Sequence, residues 1–335
     1  MIIELNQESE EWNTFLKNNN HRIYHTPKFK TFIEDTFRLR PKYIAYKEDN
    51  IIRTILPLTP VHSKIFGNRL ISVAMLEYGG FAGDESHTNK IIDYIKERYK
   101  QKYDYAEIRQ GLDKFNNLNL ENKRQKRFIL HLNTSEELWK NIQKEKRKAI
   151  KKSKKNLFTR ELTIKDINKI YKLYLNNMRK FGTPPSPKKF FINFFKLNLG
   201  KCFGSFLDGK LTAFLLGYTY KDRIHVIIAN AYSKYLKYRS NDAVHWAFIE
   251  WGCHNNFQIF DFGIVRENSG HFEYKRKWGA ELKDLNRHII YLKKDKIKDP
   301  NPEDPKLQTI LKIYRKLPVN LTIIAGKIFR KGLGI

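Results

Sequence analysis

The 335-residue chain contains only two cysteines, Cys202 and Cys253. Their wide separation does not match the short spacings of zinc-binding motifs, and two cysteines are too few for a disulfide framework. The composition therefore argues against a small disulfide-stabilised scaffold and fits a protein of the reducing cytosol.

Long apolar runs are also lacking. No apolar segment approaches the roughly 20 residues that a membrane-spanning helix requires. The first residues, MIIELNQESEEW, are acidic and have neither the basic nor the apolar region of a secretion signal. We therefore expect a cytoplasmic protein, either soluble or peripheral to the inner face of the membrane.

Acidic residues are far fewer than basic residues. The chain has 35 Asp and Glu against 64 Lys and Arg, a formal net charge of +29. Such an excess attracts polyanions, namely nucleic acid, anionic lipid headgroups or phosphorylated sugars. A Lys-rich proteome explains the same excess, so charge alone does not choose between partners.

Familiar catalytic motifs are absent as well. The sequence has no Gly-x-Ser-x-Gly elbow and no His-Glu-x-x-His site, and neither cysteine has a convincing catalytic partner. We therefore expect no metal, no bound cofactor and no covalent protein nucleophile. Amide formation by direct aminolysis of an activated acyl donor requires none of these.

The elements that are present form a repeated pattern. A hairpin, a third strand, a helix, a strand and a final strand occur once in 43–132 and again in 202–292. This order matches an N-acyltransferase core of the GNAT type, and it predicts an α/β chain of two tandem GNAT-like domains with mixed sheets. Phe128–Leu132 and Asn286–Leu292 are the predicted final strands.

The predicted boundaries follow the repeat and add a basic helix and a tail. They are a GNAT-like domain at 1–133, a basic connecting helix at 134–160, a second GNAT-like domain at 161–295 and an amphipathic basic tail at 296–335.

Phe257–Glu281 is the stretch richest in candidate site residues. Its apolar run predicts one buried strand that carries Asp261, and Arg266 stands in the following turn. Strand ends of α/β proteins supply ligand groups. Asp261 is therefore a candidate to orient the amine or receive its proton, and Arg266 to hold a phosphate or carboxylate. Pairing of the two with each other or with nearby loops is the alternative.

Six motifs occur along the chain: YHTPKFKTFI at 24–33, MLEYGGFAGD at 75–84, LWKNIQKEKRKAIKKSKK at 138–155, LYLNNMRKFGTPP at 173–185, FDFGIVRENSGHFEYKRKWGAE at 260–281 and YRKLPVNLTIIAGKIFRKGLG at 314–334. Together they resemble motifs of the Fem family of peptidyltransferases, in particular the Fem-related proteins of exopolysaccharide and protein-sorting systems. The resemblance implies two GNAT-like domains and transfer of an amino acid from aminoacyl-tRNA to an amine of a peptide- or sugar-linked envelope precursor, UDP- or lipid-linked. The long helical arm of some members is absent.

The resemblance also implies roles for particular residues. Lys275 corresponds to the functional lysine of the family pattern, and we expect its ammonium to offset charge at the reacting ester. The alternative is an ordinary surface lysine of a helix. Tyr274 and Trp278 frame it as substrate-binding residues, and Tyr78 and Arg179 are weaker ligand candidates.

Two basic segments suit anionic partners. In the basic helix, the residues predicted to contact tRNA phosphates are Lys144, Arg147, Lys148 and Lys151; a solvated linker helix is the alternative. The tail from Lys306 alternates apolar and basic residues, so it suits an anionic membrane surface or packing on the second domain.

Two further functions stay open. A CoA-dependent N-acyltransferase is one, although the link 235–242 lacks the glycine of a pyrophosphate-binding turn. A non-catalytic nucleic-acid-binding protein is the other.

Overall fold

The computed structural model of the chain describes residues 1–63, 67–115, 117–297, 311–312 and 314–333. These residues form two compact units. The first contains the described residues of Met1–Gln125, Leu285–Asp304 and Ala325–Ile335, and the second those of Lys126–Asp284 and Pro305–Ile324.

A mixed sheet organises the first unit. The spatial order of its main path is β1-β2-β3-β4-β6-β15-β7, and β5 pairs with β3. Only the β4–β6 pair is parallel among the pairings described here. The strands are β1 (Ile2–Leu5), β2 (Lys42–Glu48), β3 (Ile51–Ser63), β4 (Gly67–Ile71), β5 (Ala82–Gly83), β6 (Tyr105–Arg109), β7 (Glu121–Asn122) and β15 (Arg287–Tyr291).

A second mixed sheet organises the second unit, in the order β14-β8-β13-β12-β11-β10-β9. Its strands are β8 (Gln125–His131), β9 (Phe158–Glu161), β10 (Gly200–Leu207), β11 (Lys210–Tyr220), β12 (Arg223–Ala231), β13 (Ile259–Val265) and β14 (Glu281–Leu285). The β10–β11 hairpin turns through Asp208 and Gly209, whose φ angles of 48° and 73° suit a tight two-residue turn.

The helices are α1 (Glu10–Asn18), α2 (Pro27–Phe37), α3 (Thr88–Tyr99), α4 (Ser135–Asn141), α5 (Lys144–Asn156), α6 (Ile167–Phe181), α7 (Lys188–Lys196), α8 (Ser240–His254), α9 (Gly270–Arg276) and α10 (Val319–Leu333). None of those described is long and apolar enough to cross a membrane.

Helices cover both faces of the second sheet. Side chains alternate between the faces of a strand, and in β11 Leu215 joins the core cluster that also contains Phe248 of α8. Phe214, the preceding residue, instead faces α7, and its ring centroid lies 6.4 Å from that of Phe191. The apolar run of β11 is thus explained by burial on both sides.

The final strands of the two repeats are exchanged relative to the sequence prediction. β8, predicted to close the first domain, pairs with β13 of the second sheet. β15, predicted to close the second domain, pairs with β6 of the first sheet. The assignment of these two strands was wrong, because an apolar strand pattern specifies burial but not the neighbouring strand. The units are consequently discontinuous in sequence, unlike the continuous ranges predicted.

Charged groups fix β15 in the first sheet. Arg287 Nη2 of β15 donates to Glu107 Oε2 at 2.8 Å, and Arg109 Nε donates to Glu107 Oε1 at 2.6 Å. Burial alone would raise the pKa of Glu107, but the two guanidinium groups outweigh it and lower the pKa to about 2. Glu107 is therefore ionised and paired at neutral pH.

The predicted tail is described only in part, since residues 298–310, 313, 334 and 335 lie outside the described residues. Tyr314 is buried, and its hydroxyl donates to the carbonyl oxygen of Thr183 at 3.4 Å. The described portion before Ala325 therefore packs on the second unit, one of the two outcomes expected for it.

The strand exchange predicts which unit is destabilised by a core substitution in β8 or in β15. Ile290→Ala in β15 should remove roughly 2–5 kcal/mol of stability from the first unit. Leu130→Ala in β8 should do the same to the second. Hydrogen exchange with peptide resolution measures both: Ile290→Ala should speed exchange in β2 and β3, and Leu130→Ala in β11 and β12. The reverse pattern would contradict the exchange.

Candidate functional site

Two neighbouring parallel strands of the second sheet separate part-way along their length. β12 and β13 are in register at only three positions, from Arg223 opposite Ile259 to His225 opposite Asp261. β12 nevertheless continues to Ala231 and β13 to Val265. The strands therefore part after His225 and Asp261, and an opening in the sheet begins there.

Asp261 lies at the point of separation and is fully buried. Its Oδ2 accepts hydrogen bonds from Nη1 of Arg127 in β8 and of Arg223 in β12, both at 3.2 Å. Its Oδ1 accepts from the backbone N–H of Gly263 at 2.9 Å. An incoming amine does not reach this carboxylate in the described structure. Asp261 thus pairs with arginines of two neighbouring strands, whereas the alternative stated from the sequence was pairing with Arg266 or with nearby loops.

Lys275 is bonded to the segment of β13 that follows. The register with β8 shifts between Asp261 and Ile264, and Gly263 has a φ of 75°, a left-handed angle that glycine adopts without strain. Lys275 Nζ donates to the carbonyl oxygens of Gly263 at 3.0 Å and Ile264 at 2.9 Å. Its half-buried ammonium is thereby held at the bulge, beside the opening.

A buried polar network joins α9, which carries Lys275, to α5 and α8. We call it the Lys146 network; its members are Lys146, Asp242, His245, Tyr274 and Trp278. Lys146 Nζ contacts Asp242 Oδ1 at 2.5 Å and lies 3.3 Å from the Tyr274 ring centroid and 4.9 Å from that of Trp278. An ammonium between a carboxylate and two aromatic faces is stabilised by both kinds of neighbour.

The tautomer of His245 follows from its contacts. Nδ1 lies 2.8 Å from the carbonyl oxygen of Asn241 and 3.2 Å from the Tyr274 hydroxyl. Because a carbonyl can only accept, Nδ1 carries the proton, and the hydroxyl oxygen accepts from it too. The Tyr274 hydroxyl also interacts with the side chains of Trp278 and Asp242. Asp242 therefore joins α5, α8 and α9.

Burial sets the protonation states in this network. It lowers the pKa of Lys146 to about 8, although the Asp242 carboxylate opposes the shift. It lowers the pKa of His245 to about 3 and raises that of Tyr274 well above its usual range. At neutral pH the network thus contains an ammonium, a neutral imidazole and a protonated phenol.

Sequence analysis missed Lys146, Asp242 and His245 as parts of the site. Lys146 is one of many basic residues in its helix, but it is spaced three, four and seven residues from the buried Ala149, Ile150 and Ser153. This spacing places it on the packing face of α5 and could have marked it.

Three other predicted ligand residues lie outside the network. Arg266 is exposed in the turn after β13, and Arg179 is half-buried in the last turn of α6. Tyr78 belongs to the first unit, where it is fully buried and packs edge-to-face on Tyr24 at 5.6 Å. Its burial indicates a core residue.

The predicted phosphate-binding residues divide into two groups. Lys144, Lys148 and Lys151 are exposed on α5. Arg147 Nη1 instead donates to the carbonyl oxygens of Trp139, Lys140 and Ile142 at 3.2, 2.8 and 2.7 Å. It thereby caps the end of α4. Among all the residues that the structure describes, no three His, Cys, Asp or Glu side chains lie close enough together to hold a metal ion.

Comparison with known proteins agrees with this architecture. Residues 139–276 match the family model of the acetyltransferase (GNAT) domain. The crystal structure of FemX superposes with a TM-score of 0.66 at 13% identity, over 85% of this chain and 96% of that one. L-PGS from Bacillus licheniformis gives 0.57 at 12% identity, over 93% and 98%. A tandem GNAT protein from the clavulanic acid biosynthesis pathway gives 0.54 at 8% identity, over 90% and 99%.

This chain has the tandem GNAT fold. The predicted fold class is confirmed, and so is the resemblance to FemABX-like proteins as a likeness of fold. At sequence identities this low, a structural match shows a shared fold alone. No curated protein matches the sequence. The matched range contains Lys146, Asp242, Asp261 and Lys275, whereas Arg127, a partner of Asp261, precedes it.

Because His245 is buried in its neutral form, we expect the stability of the GNAT domain to depend on pH. Its pKa in the folded protein, about 3, lies below the ordinary 6.5. The unfolded chain therefore takes up the proton first, and the stability due to this group is lost as the pH falls from about 6.5 towards 3. Between pH 7 and 5 the loss is about 2 kcal/mol.

Urea unfolding followed by tryptophan fluorescence measures this loss. His245→Phe should lower stability at pH 7 but reduce the further loss at pH 5 by about 2 kcal/mol. The exposed His271→Gln on α9 is the control and should behave as wild type. An unchanged pH dependence in His245→Phe would contradict the assignment.

Proposed function

We propose that the second unit transfers an acyl group to an amine by direct aminolysis, with aminoacyl-tRNA as the donor and a peptide- or sugar-linked envelope precursor as the acceptor. The observation that carries the proposal is the opening between β12 and β13, with the Lys275 ammonium held beside it. The FemX likeness supports the same class of reaction.

The open edge of β12 offers a place for the acyl donor. Beyond His225, the described residues of β12 are in register with β11 on one side and with no strand on the other. Backbone N–H and C=O groups on that side can bond to the amide or ester of an extended ligand, as an added strand would. In the proposed arrangement the acyl carbonyl is bound on the side of β12 that faces the β13 bulge.

Lys275 supplies positive charge for the reaction. The neutral amine attacks the ester carbonyl, the C–N bond forms, and negative charge develops on the carbonyl oxygen. The C–O bond to the donor then breaks, and the proton released by the amine passes to the departing oxygen. A preorganised cation favours the oxyanion, and loss of one such group commonly costs roughly 3–4 kcal/mol of activation free energy.

The N-terminus of α8 bears on the identity of the donor. In a CoA enzyme this helix end receives the pyrophosphate. Here its first turn contains the buried carboxylate of Asp242, paired with Lys146. A carboxylate already occupies the favourable position at the positive end of the helix dipole. The exposed lysines 144, 148 and 151 of α5 suit the phosphates of tRNA instead.

A CoA-dependent N-acyltransferase is the second candidate, and the match to the acetyltransferase (GNAT) domain favours it. The two candidate functions differ in whether ribonuclease treatment of the donor abolishes transfer. Transfer from aminoacyl-tRNA is abolished by ribonuclease pretreatment of the donor, whereas transfer from an acyl-CoA is indifferent to it.

The central experiment compares three lysine variants in transfer assays with aminoacyl-tRNA and with acetyl-CoA. Lys275→Met should lower the transfer rate by about 100-fold or more. Lys275→Arg keeps the charge with a different geometry and should retain part of the activity. Lys283→Met removes an exposed lysine of β14 and should behave as wild type.

Circular dichroism and thermal unfolding of each variant separate loss of chemistry from loss of fold. A well-folded Lys275→Met with near wild-type transfer would contradict the role of Lys275. Transfer from acetyl-CoA but not from aminoacyl-tRNA would establish the second candidate. Binding of RNA with no transfer from either donor would favour a nucleic-acid-binding protein.

A further inference from the structure

Three segments of the second unit contain many basic residues and no acidic ones. They are residues 179–183, residues 232–239 and the described residues of 311–324. We call the surface that they form the basic apolar face. Its residues are not members of the Lys146 network, although the second segment links β12 to α8 and Arg239 helps to lower the pKa of Lys146.

Direct contacts bring the three segments together at the end of α6. Lys180 Nζ donates to Ser233 Oγ at 2.7 Å, which joins the first segment to the second. A methyl group added at Gly182 would lie 3.2 Å from Leu311 Cδ2, and Tyr314 donates to Thr183 O at 3.4 Å. The first segment is therefore flanked by both others.

Large apolar side chains on this face are exposed to solvent. Of the eight exposed large hydrophobic residues among those described, four belong to it: Phe181 at 47%, Leu236 at 45%, Leu321 at 48% and Ile324 at 53%. Leu321 and Ile324 are three residues apart in α10 and share one side of the helix. Half of the exposed large apolar side chains described therefore lie on three segments that contact one another, which favours an interaction surface.

Cations surround these apolar groups. The exposed basic residues of the face are Lys180, Lys234, Lys237, Arg239, Lys312, Arg315 and Lys316. Two lysines lie over tyrosine rings, with Lys234 Nζ 4.9 Å from the centroid of Tyr235 and Lys237 Nζ 5.1 Å from that of Tyr238. Basic groups and tyrosines around exposed aliphatic side chains suit the boundary between lipid headgroups and acyl chains.

We propose that the basic apolar face binds the surface of a bilayer that contains anionic lipids. The cations attract the headgroups, and the four apolar side chains enter the boundary beneath them. A nucleic acid would use the same cations and can stack its bases on the tyrosines, but it gains little from the exposed Leu and Ile side chains. This binding does not rest on the proposed reaction, and it is measured without any substrate.

Sedimentation of the full chain with vesicles tests the proposal. One set of vesicles is pure phosphatidylcholine, and the other contains 30% phosphatidylglycerol. Wild type should bind the anionic vesicles at least tenfold more tightly. Lys234→Glu with Lys237→Glu should weaken that binding by roughly 20-fold or more, since each basic group near the surface contributes about fivefold.

The apolar groups are tested separately. Leu236→Ser with Leu321→Ser and Ile324→Ser keeps every charge and should weaken anionic-vesicle binding by at least tenfold. The matched control is Lys100→Glu with Lys102→Glu, two exposed lysines of the first unit, which should change binding by less than threefold.

Three results would overturn the proposal. They are equal losses in the Lys234/Lys237 and Lys100/Lys102 variants, wild-type binding by the apolar variant, and weakened RNA binding with unchanged vesicle binding in the Lys234/Lys237 variant. Circular dichroism at matched temperature confirms the fold of each variant, and any that fails is replaced by the single substitutions Lys237→Glu and Leu236→Ser.

Discussion

The buried carboxylate of Asp261 joins three strands at the point where the second sheet opens. It binds arginines from β8 and β12 and the backbone of its own strand. A buried carboxylate without such partners would be costly, so Arg127 and Arg223 are held near it. The separation of β12 from β13 begins at this carboxylate, the bulge follows two residues later at Gly263, and Lys275 bonds to the carbonyl groups of that bulge. Asp261 thus shapes the site without reaching a substrate.

The Lys146 network holds α9 in position against α5 and α8. This helix is short, and its own hydrogen bonds would not hold it in place. Tyr274 and Trp278 connect it to Lys146 of α5 and to Asp242 and His245 of α8. Because both partner helices pack in the core of the second unit, Lys275 is supported from one side by the network and from the other by the carbonyl groups of the bulge.

Sequence reasoning identified the repeated α/β order and the segment that carries Lys275, Tyr274 and Trp278. It failed where partners distant in sequence decide the outcome. The exchange of β8 and β15 could not be read from apolar runs, because both strands are equally apolar. Lys146 could not be told from neighbouring lysines by composition, and only its helical spacing sets it apart. Asp261 was recognised as unusual, but its partners Arg127 and Arg223 lie far away in the chain.

The central claim is that the acyl donor binds along the open edge of β12. Hydrogen exchange with peptide resolution, with and without a non-hydrolysable aminoacyl-tRNA analogue, measures this most directly. The account predicts slower exchange in residues 226–231 of β12 and in the β13 bulge, with no change in β10, which is paired on both sides. Binding of the analogue without protection of residues 226–231 would contradict it.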